Sequence, residues 1–245
     1  GCSRTFGGGL TVSWTLDNLD LVAELAINHI RLSVIPIVLA FVIAVPLGWV
    51  ANRNRILRAV TITSGSLLYT IPSLPLFVIL PYVLGTRVLS EVNVVVALLI
   101  YGVAMMVRSA ADALASVDAT TRQAATAMGF SSWSRFWRVE LPLAGPVLLA
   151  GLRVVSVSTI ALVSVGAIIG SRNLGYLCLS GRQRNKLEEI LVGIAASVLI
   201  ALVFDLLLIA LGRLLMPWHR VSPLRLPLSH RRKRNSLGGA QWTSS

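Results

Sequence analysis

Five mostly apolar runs, each bounded by charged residues, constrain this chain more than any other feature. They cover 30–50, 59–86, 92–107, 142–169 and 190–211. A helix rises about 1.5 Å per residue, so about 20 residues cross the roughly 30 Å of a bilayer's hydrocarbon. In lipid, backbone polar groups must be satisfied within the chain, and runs of this length satisfy them as helices. The expected fold class is all-α integral membrane, with about five transmembrane helices. The run 92–107 is slightly short, but Arg108 can snorkel at its end. Composition agrees: 55% of residues are hydrophobic and only 13% charged, where a soluble domain carries about 25%.

Net charge is +12. Such a balance often marks nucleic-acid binding. Here the arginines cluster in short segments between apolar runs, as cytoplasmic loops of a membrane protein do. Membrane lipid, and not nucleic acid, is the expected partner of these charges. Five spans put the termini on opposite sides. One side receives Arg53, Arg55, Arg58, Arg108, Arg122, Arg135, Arg138, Arg213 and the basic residues of the tail. The other receives Arg4, Arg31, Arg87, Arg172, Arg182, Arg184 and Lys186. The ratio is fourteen to seven, which makes the first side cytoplasmic. The segment 171–189 is discordant, with four basic residues on the outer side.

Domain organisation follows from these runs. An extracytoplasmic N-terminal segment, 1–29, precedes a transmembrane domain, 30–217. A basic cytoplasmic tail, 218–245, ends in His230-Arg231-Arg232-Lys233-Arg234 and is expected to be a disordered arm on anionic lipid. No basic region precedes a short apolar core at the start, so a cleaved signal peptide is not expected. Cys2 lacks the preceding apolar run of a lipobox, and the start is read as trimmed or misassigned. Cys2 and Cys178 suggest neither a disulfide framework nor a metal site. The three histidines offer no metal or triad geometry. No phosphate-binding loop of the form GxxxxGK[ST] occurs, so the chain is not expected to hold ATP in the usual way. No catalytic residue, metal or cofactor is expected.

The segment 118–142 is too polar to be a sixth span. Asp118 is a good N-cap for a helix over 119–128, which is made mostly of strong helix formers. Gly129 can take positive φ and so end that helix in a turn. Ser131 or Ser132 can cap a second short helix over 133–140. Pro142 biases Leu141 away from the α region and predicts a break there. Two short helices around a glycine corner, held between spans, make an object that protrudes from the membrane and can dock.

The same segment resembles the cytoplasmic coupling loop of permease subunits of ABC importers. That family's motif runs Glu-Ala-Ala, three residues, Gly, nine residues, Ile, one residue, Leu-Pro. This chain has Gln123-Ala124-Ala125, then Gly129, then Val139, then Leu141-Pro142, with every spacing kept. The resemblance implies the type I importer permease fold with cytoplasmic coupling helices. It also implies a separate ABC ATPase subunit that receives the short helix, a second permease copy or a similar permease chain, an extracytoplasmic substrate-binding protein, and location in a bacterial inner membrane. Over 30–218 the chain is further similar to permeases for glycine betaine, choline and carnitine. That likeness rests on YTIPSLPLFVILP at 69–81, VELPLAGPVLLAGLRVV at 139–155 and VGAIIGSRNLG at 165–175. Their cation-gripping aromatic cage belongs mainly to the binding protein, and this sequence shows none of its own.

Two features are candidate parts of a translocation path. The second run holds Pro72, Pro75 and Pro81, and a proline-broken span more often lines a path or packs inside than faces lipid. Tyr69, Thr70, Pro72 and Ser73 surround that kink; the alternative is a kinked structural helix. Asp205 lies inside the last run, where an acid is costly unless paired or near water. Arg153 is its candidate partner if both lie near the cytoplasmic side; the alternative is an acid that stays hydrated near the interface. The small residues Ser156, Ser158, Thr159, Ser164, Gly166 and Gly170 suggest close helix packing in lipid. Rival functions are a permease of the same fold for methionine or another amino acid, and a non-transporting scaffold. The latter would lay Trp133, Arg135, Trp137 and Arg138 flat on lipid as an interfacial helix.

Overall fold

A computed structural model describes residues 18–217 of the chain. The described residues form nine α-helices in chain order. They are α1 (Leu19–Ala51), α2 (Arg55–Thr70), α3 (Ser73–Leu84), α4 (Glu91–Ala115), α5 (Ala119–Ala127), α6 (Ser132–Arg135), α7 (Leu141–Val165), α8 (Gly175–Arg184) and α9 (Leu187–Leu215). A π turn, Phe136–Glu140, joins α6 to α7, and a 3-10 turn, Gly166–Ile169, follows α7. The N-terminal 17 residues and the basic tail lie outside the described residues.

The all-helical reading holds. Among the described residues, four helical stretches are long and apolar enough to cross a membrane: α1, α4, the stretch Ser132–Ile169, and α9. The fifth expected span is α2 and α3 together, bent by 98° at Ile71 and Pro72. Proline explains the bend. Pro72 has no amide to donate, and it holds Ile71 extended at ψ 126°.

Three expectations change. The first span does not begin at residue 30. Its helix starts at Leu19, because the mildly acidic 20–29 stretch carries Leu25 and His29 on a buried face. The loop 171–189 contains a helix, α8, whose Leu177, Ser180 and Gly181 are buried. The break expected at Pro142 is absent. Leu141 is helical, with φ −64° and ψ −47°, and its amide donates to the Phe136 carbonyl five residues back. The widened turn absorbs the proline, which stands in the first turn of α7, where no intrahelical amide bond is needed. Ser132–Ile169 is therefore one rod of 38 residues.

The centre of the bundle is α1, α4 and α7. Lipid supplies no hydrophobic drive between helices, so close contact between small residues carries the packing. A Cβ on Gly48 of α1 would lie 2.8 Å from the Cβ of Ala110 on α4. Polar groups add to this. Asn52 Nδ2, at the end of α1, donates to the Ala111 carbonyl of α4 at 2.8 Å. His29 Nε2 lies 3.0 Å from the Ile160 carbonyl and joins α1 to α7. Ser156 and Thr159 are buried, as close packing of the small-residue face requires. By contrast α9 buries only Glu189, Gly193, Leu208 and Gly212. Its exposed surface is rich in leucine, isoleucine and valine, suited to lipid or to a neighbouring chain.

Candidate functional site

The polar segment between α4 and α7 folds into a bent arm. Asp118 occupies the N-cap position of α5, and its carboxylate accepts the Thr120 hydroxyl. That bond holds the Asp118 carboxyl below the usual carboxylate range. At the other end of α5, Gly129 N donates to the Thr126 carbonyl at 3.0 Å and Phe130 N to the Ala125 carbonyl at 3.2 Å. These are the two bonds of a Schellman motif, with Gly129 at φ +86°. Ser131 caps α6 by accepting from Ser134 N at 3.3 Å. The glycine corner and its serine cap are as the sequence predicts.

Arg135 ties the two sides of the corner together. Its Nε donates to Glu140 Oε1 at 2.7 Å, and its Nη1 to Thr126 Oγ1 at 2.7 Å. The Glu140 side chain is only 6% exposed, so its charge depends on that guanidinium. Aromatic rings seat the arm on the bundle. Phe136 is fully buried, with its ring centroid 5.0 Å from that of Trp49 on α1. Trp133 meets Trp49 edge-on at 5.9 Å, and the Arg53 guanidinium covers Trp49 at 4.4 Å. Arg58 of α2 and Asp112 of α4 close an ion pair of 2.6 Å nearby. Sequence reasoning missed Arg135 and Glu140 as a pair. Their spacing of five residues matches no α-helical neighbour pair and meets only through the π turn.

The seven motif positions divide by exposure. Gln123, Ala124 and Gly129 face outward, Ala125 is buried against the arm, and Val139, Leu141 and Pro142 are half-buried where the arm joins α7. Beside Gly129 stands Met128, 70% exposed. An outward face with few charges, on a stiff bent support, is what a docking knob requires.

The second candidate region is the break between α2 and α3. Tyr69 lies in the last turn of α2 and is 54% exposed. Its ring meets Tyr101 of α4 at right angles, with centroids 6.2 Å apart, and the Tyr101 hydroxyl donates to the Ile71 carbonyl. Thr70 Oγ1 donates back to the Ser66 carbonyl at 2.9 Å. Pro72 and Ser73 start α3. Nothing in an apolar run singled out Tyr101. Asp205 stands elsewhere, on α9, which packs on α7 and α8, whereas α2 packs on α4 and α1. Both Asp205 oxygens accept from Arg153, at 2.6 Å from Nε and 2.7 Å from Nη2. The partner named from sequence is the one found. Arg153 stands well inside its span. It is twelve residues into α7, about 18 Å from Leu141. A groove of about 320 Å³ runs beside the pair, lined by Val157, Ile160, Ser197, Ala201, Leu202 and Asp205 among others.

Comparison with known proteins places this architecture. The family described as "Binding-protein-dependent transport system inner membrane component" matches residues 29–221. The chain is 32% identical to the osmoprotectant import permease protein OsmW of Salmonella typhimurium, over 84% of this chain and 97% of that one. It is 29% identical to the carnitine transport permease protein OpuCD of Listeria monocytogenes, over 86% and 93% of the two chains. It is 30% identical to the glycine betaine/carnitine/choline permease protein OpuCD of Bacillus subtilis, over 78% and 82%. Among solved structures, a chain of the inward-facing MetNI methionine ABC transporter superposes with TM-score 0.68 at 19% identity, over 83% of this chain and 99% of that one. An amino acid ABC transporter with histidines gives 0.68 at 15%, over 84% and 99%. These two establish the fold alone. The chain belongs to the inner-membrane permease components of binding-protein-dependent transport systems, and it is a multi-pass membrane protein with the type I ABC importer permease fold.

Proposed function

We propose that this permease forms the membrane path for quaternary-amine osmoprotectants, of the glycine betaine, choline and carnitine class, in an ATP-driven importer. The similarity to permeases of that class over most of the chain carries the solute. The bent arm carries the mechanism. A separate ATPase subunit receives the outward face that includes Gln123, Ala124 and Gly129. Ala125, Val139, Leu141 and Pro142 tie that face to the bundle. Closure of two ATPases on ATP draws two arms together, and each arm moves its own α7 because α6, the π turn and α7 are one rod. The bundles rock and open the path to the other side, which is alternating access between rigid bodies.

The remaining partners follow. One copy has too few helices to enclose a path, so a second copy or a similar chain completes it. An extracytoplasmic binding protein delivers the solute. The arm and the 218–245 tail lie in the cytoplasm and the N-terminus outside a bacterial inner membrane, by the distribution of Lys and Arg. Tyr69, Thr70, Pro72 and Ser73 form the wall of the path within the 30–217 domain. Asp205 contributes to a path only as half of a neutral pair, since Arg153 cancels its charge. Uptake of labelled glycine betaine against labelled methionine, by the complex reconstituted with its ATPase and binding protein, tests the solute. Preferential betaine uptake is expected. Methionine uptake alone would move the chain to the amino-acid branch of the fold.

A further inference from the structure

The joint between the end of α1 and the arm carries a basic and aromatic surface that the coupling mechanism does not use. Trp49 stands at the end of the apolar run 30–50, so its ring lies at the boundary of hydrocarbon and water, a level that tryptophan favours. Trp133 meets that ring edge-on, and Trp137 packs on Trp133 with centroids 5.6 Å apart, so the three rings form one cluster there. Trp133 and Trp137 are 59% and 49% exposed, and that apolar surface is better covered by lipid than by water. Four residues past Trp49, the exposed Arg53 holds its guanidinium 4.4 Å from the Trp49 ring centroid. Stacking uses the flat face of a guanidinium and leaves its N–H groups, which lie in the plane, free to donate. Those of Arg53 have no acceptor among the described residues. Arg138, next to Trp137 in the π turn, is exposed and has no acid partner among the described residues. The acids of the arm and of the end of α4 are already answered: Glu140 by Arg135, Asp112 by Arg58, and Asp118 by Thr120 and Arg122. The surface is therefore positive.

We propose that this joint binds an anionic phospholipid. The phosphodiester takes the free N–H edge of Arg53 in a charge-assisted contact. The upper acyl chain covers the outward faces of Trp133 and Trp137, and Arg138 adds to the attraction. The arginine follows the rings along the chain, beyond the end of the apolar run, as a headgroup follows hydrocarbon. The stretch assigned above to the ATPase, 123–129, carries no aromatic residue, so the rings stand apart from it. The bound lipid bridges the end of α1 and the rod Ser132–Ile169, and so seats the base of the arm on the bundle. The site is independent of which solute is carried. Free phosphate shares the chemistry of the headgroup but has no chain to lay on the rings, so lipid is the source.

The test maps photolabelling of the full permease–ATPase complex in phosphatidylcholine nanodiscs. The probe is a phosphatidylglycerol with a photoreactive diazirine high on one acyl chain. Peptides covering 49–53 and 133–138 are expected to carry the label. Excess unlabelled phosphatidylglycerol should remove it, while excess inorganic phosphate should leave it in place. Arg53→Gln is expected to lower the label on these peptides about fivefold, with label elsewhere in the chain unchanged. Arg53→Lys, which keeps the charge but not the flat stacked donor, should lower it about twofold. Arg53 is exposed, and an unchanged melting midpoint in each variant separates lost binding from lost fold. Absence of label from both peptides in the wild-type complex would overturn the site, as would equal labelling of wild type and Arg53→Gln. Competition by inorganic phosphate would give the arginine to soluble anions and also overturn it. Label that appears only when the ATPase is left out would give the surface to that subunit, with the same consequence.

Discussion

Gly129 is the residue whose role is most sharply defined, because two effects that usually mix are separate there. A Cβ built on it meets nothing within 4 Å, so space is no obstacle. Only the φ of +86° opposes a side chain, at a cost of about 1–2 kcal/mol, more for a β-branched one. Gly129→Val should therefore leave the spans folded and lower betaine uptake severalfold by turning the arm; wild-type uptake in that variant would remove the corner from the mechanism. Arg135→Gln should be worse for stability. It leaves the Glu140 carboxylate buried without its charge partner, at a cost of about 3 kcal/mol, the low end for buried pairs since Arg135 is itself 24% exposed. Thermal unfolding in detergent reads the loss, and Arg135→Gln with Glu140→Gln should recover part of it. Asp205→Asn and Arg153→Gln should each lower the yield of folded protein, while the paired change Arg153→Leu with Asp205→Leu restores it. If the double variant folds but transports poorly, the pair serves the path as well as the fold. Of these residues, Gly129 and the Arg153–Asp205 pair were legible in the sequence, since positive φ and a membrane-buried acid each leave few alternatives. Arg135, Glu140 and Tyr101 were not, because their partners are set by a π turn and by packing across helices.

At the scale of elements, proline had two outcomes that local sequence rules do not separate. Pro72 breaks its span because Ile71 before it is extended and Tyr101 fixes that carbonyl. Pro142 breaks nothing, because the π turn before it supplies an extra residue and the bundle holds Phe136 and Ala144 in place. Hydropathy alone marks both runs and says nothing of which bends. Helix α8 went unread for a related reason. Its buried face is short and mixed, Leu177 with Ser180 and Gly181, and packing against α9, α7 and Leu25 of α1 makes those positions interior. The central contact makes a prediction at this scale. Gly48→Leu should push α1 from α4, since even a Cβ stands 2.8 Å from the Ala111 amide. The loss should be about 2–3 kcal/mol, read as a lowered unfolding midpoint in detergent, with Gly48→Ala intermediate. Equal midpoints for all three would show that the helices separate freely there.

For the molecule as a whole, one continuous helical stretch, Ser132–Ile169, joins the polar arm to the bent α2–α3 pair, whose Phe77 and Leu80 pack with Val163. The direction of that link depends on which side of the membrane carries the arm. In a background with Cys2→Ser and Cys178→Ser, a single cysteine placed at Ser131 sits exposed beside the glycine corner. A membrane-impermeant maleimide should label it in inside-out vesicles and leave it unlabelled in intact cells. Added ATPase subunit should protect it. Labelling from outside intact cells would put the arm on the wrong side of the membrane and contradict the mechanism.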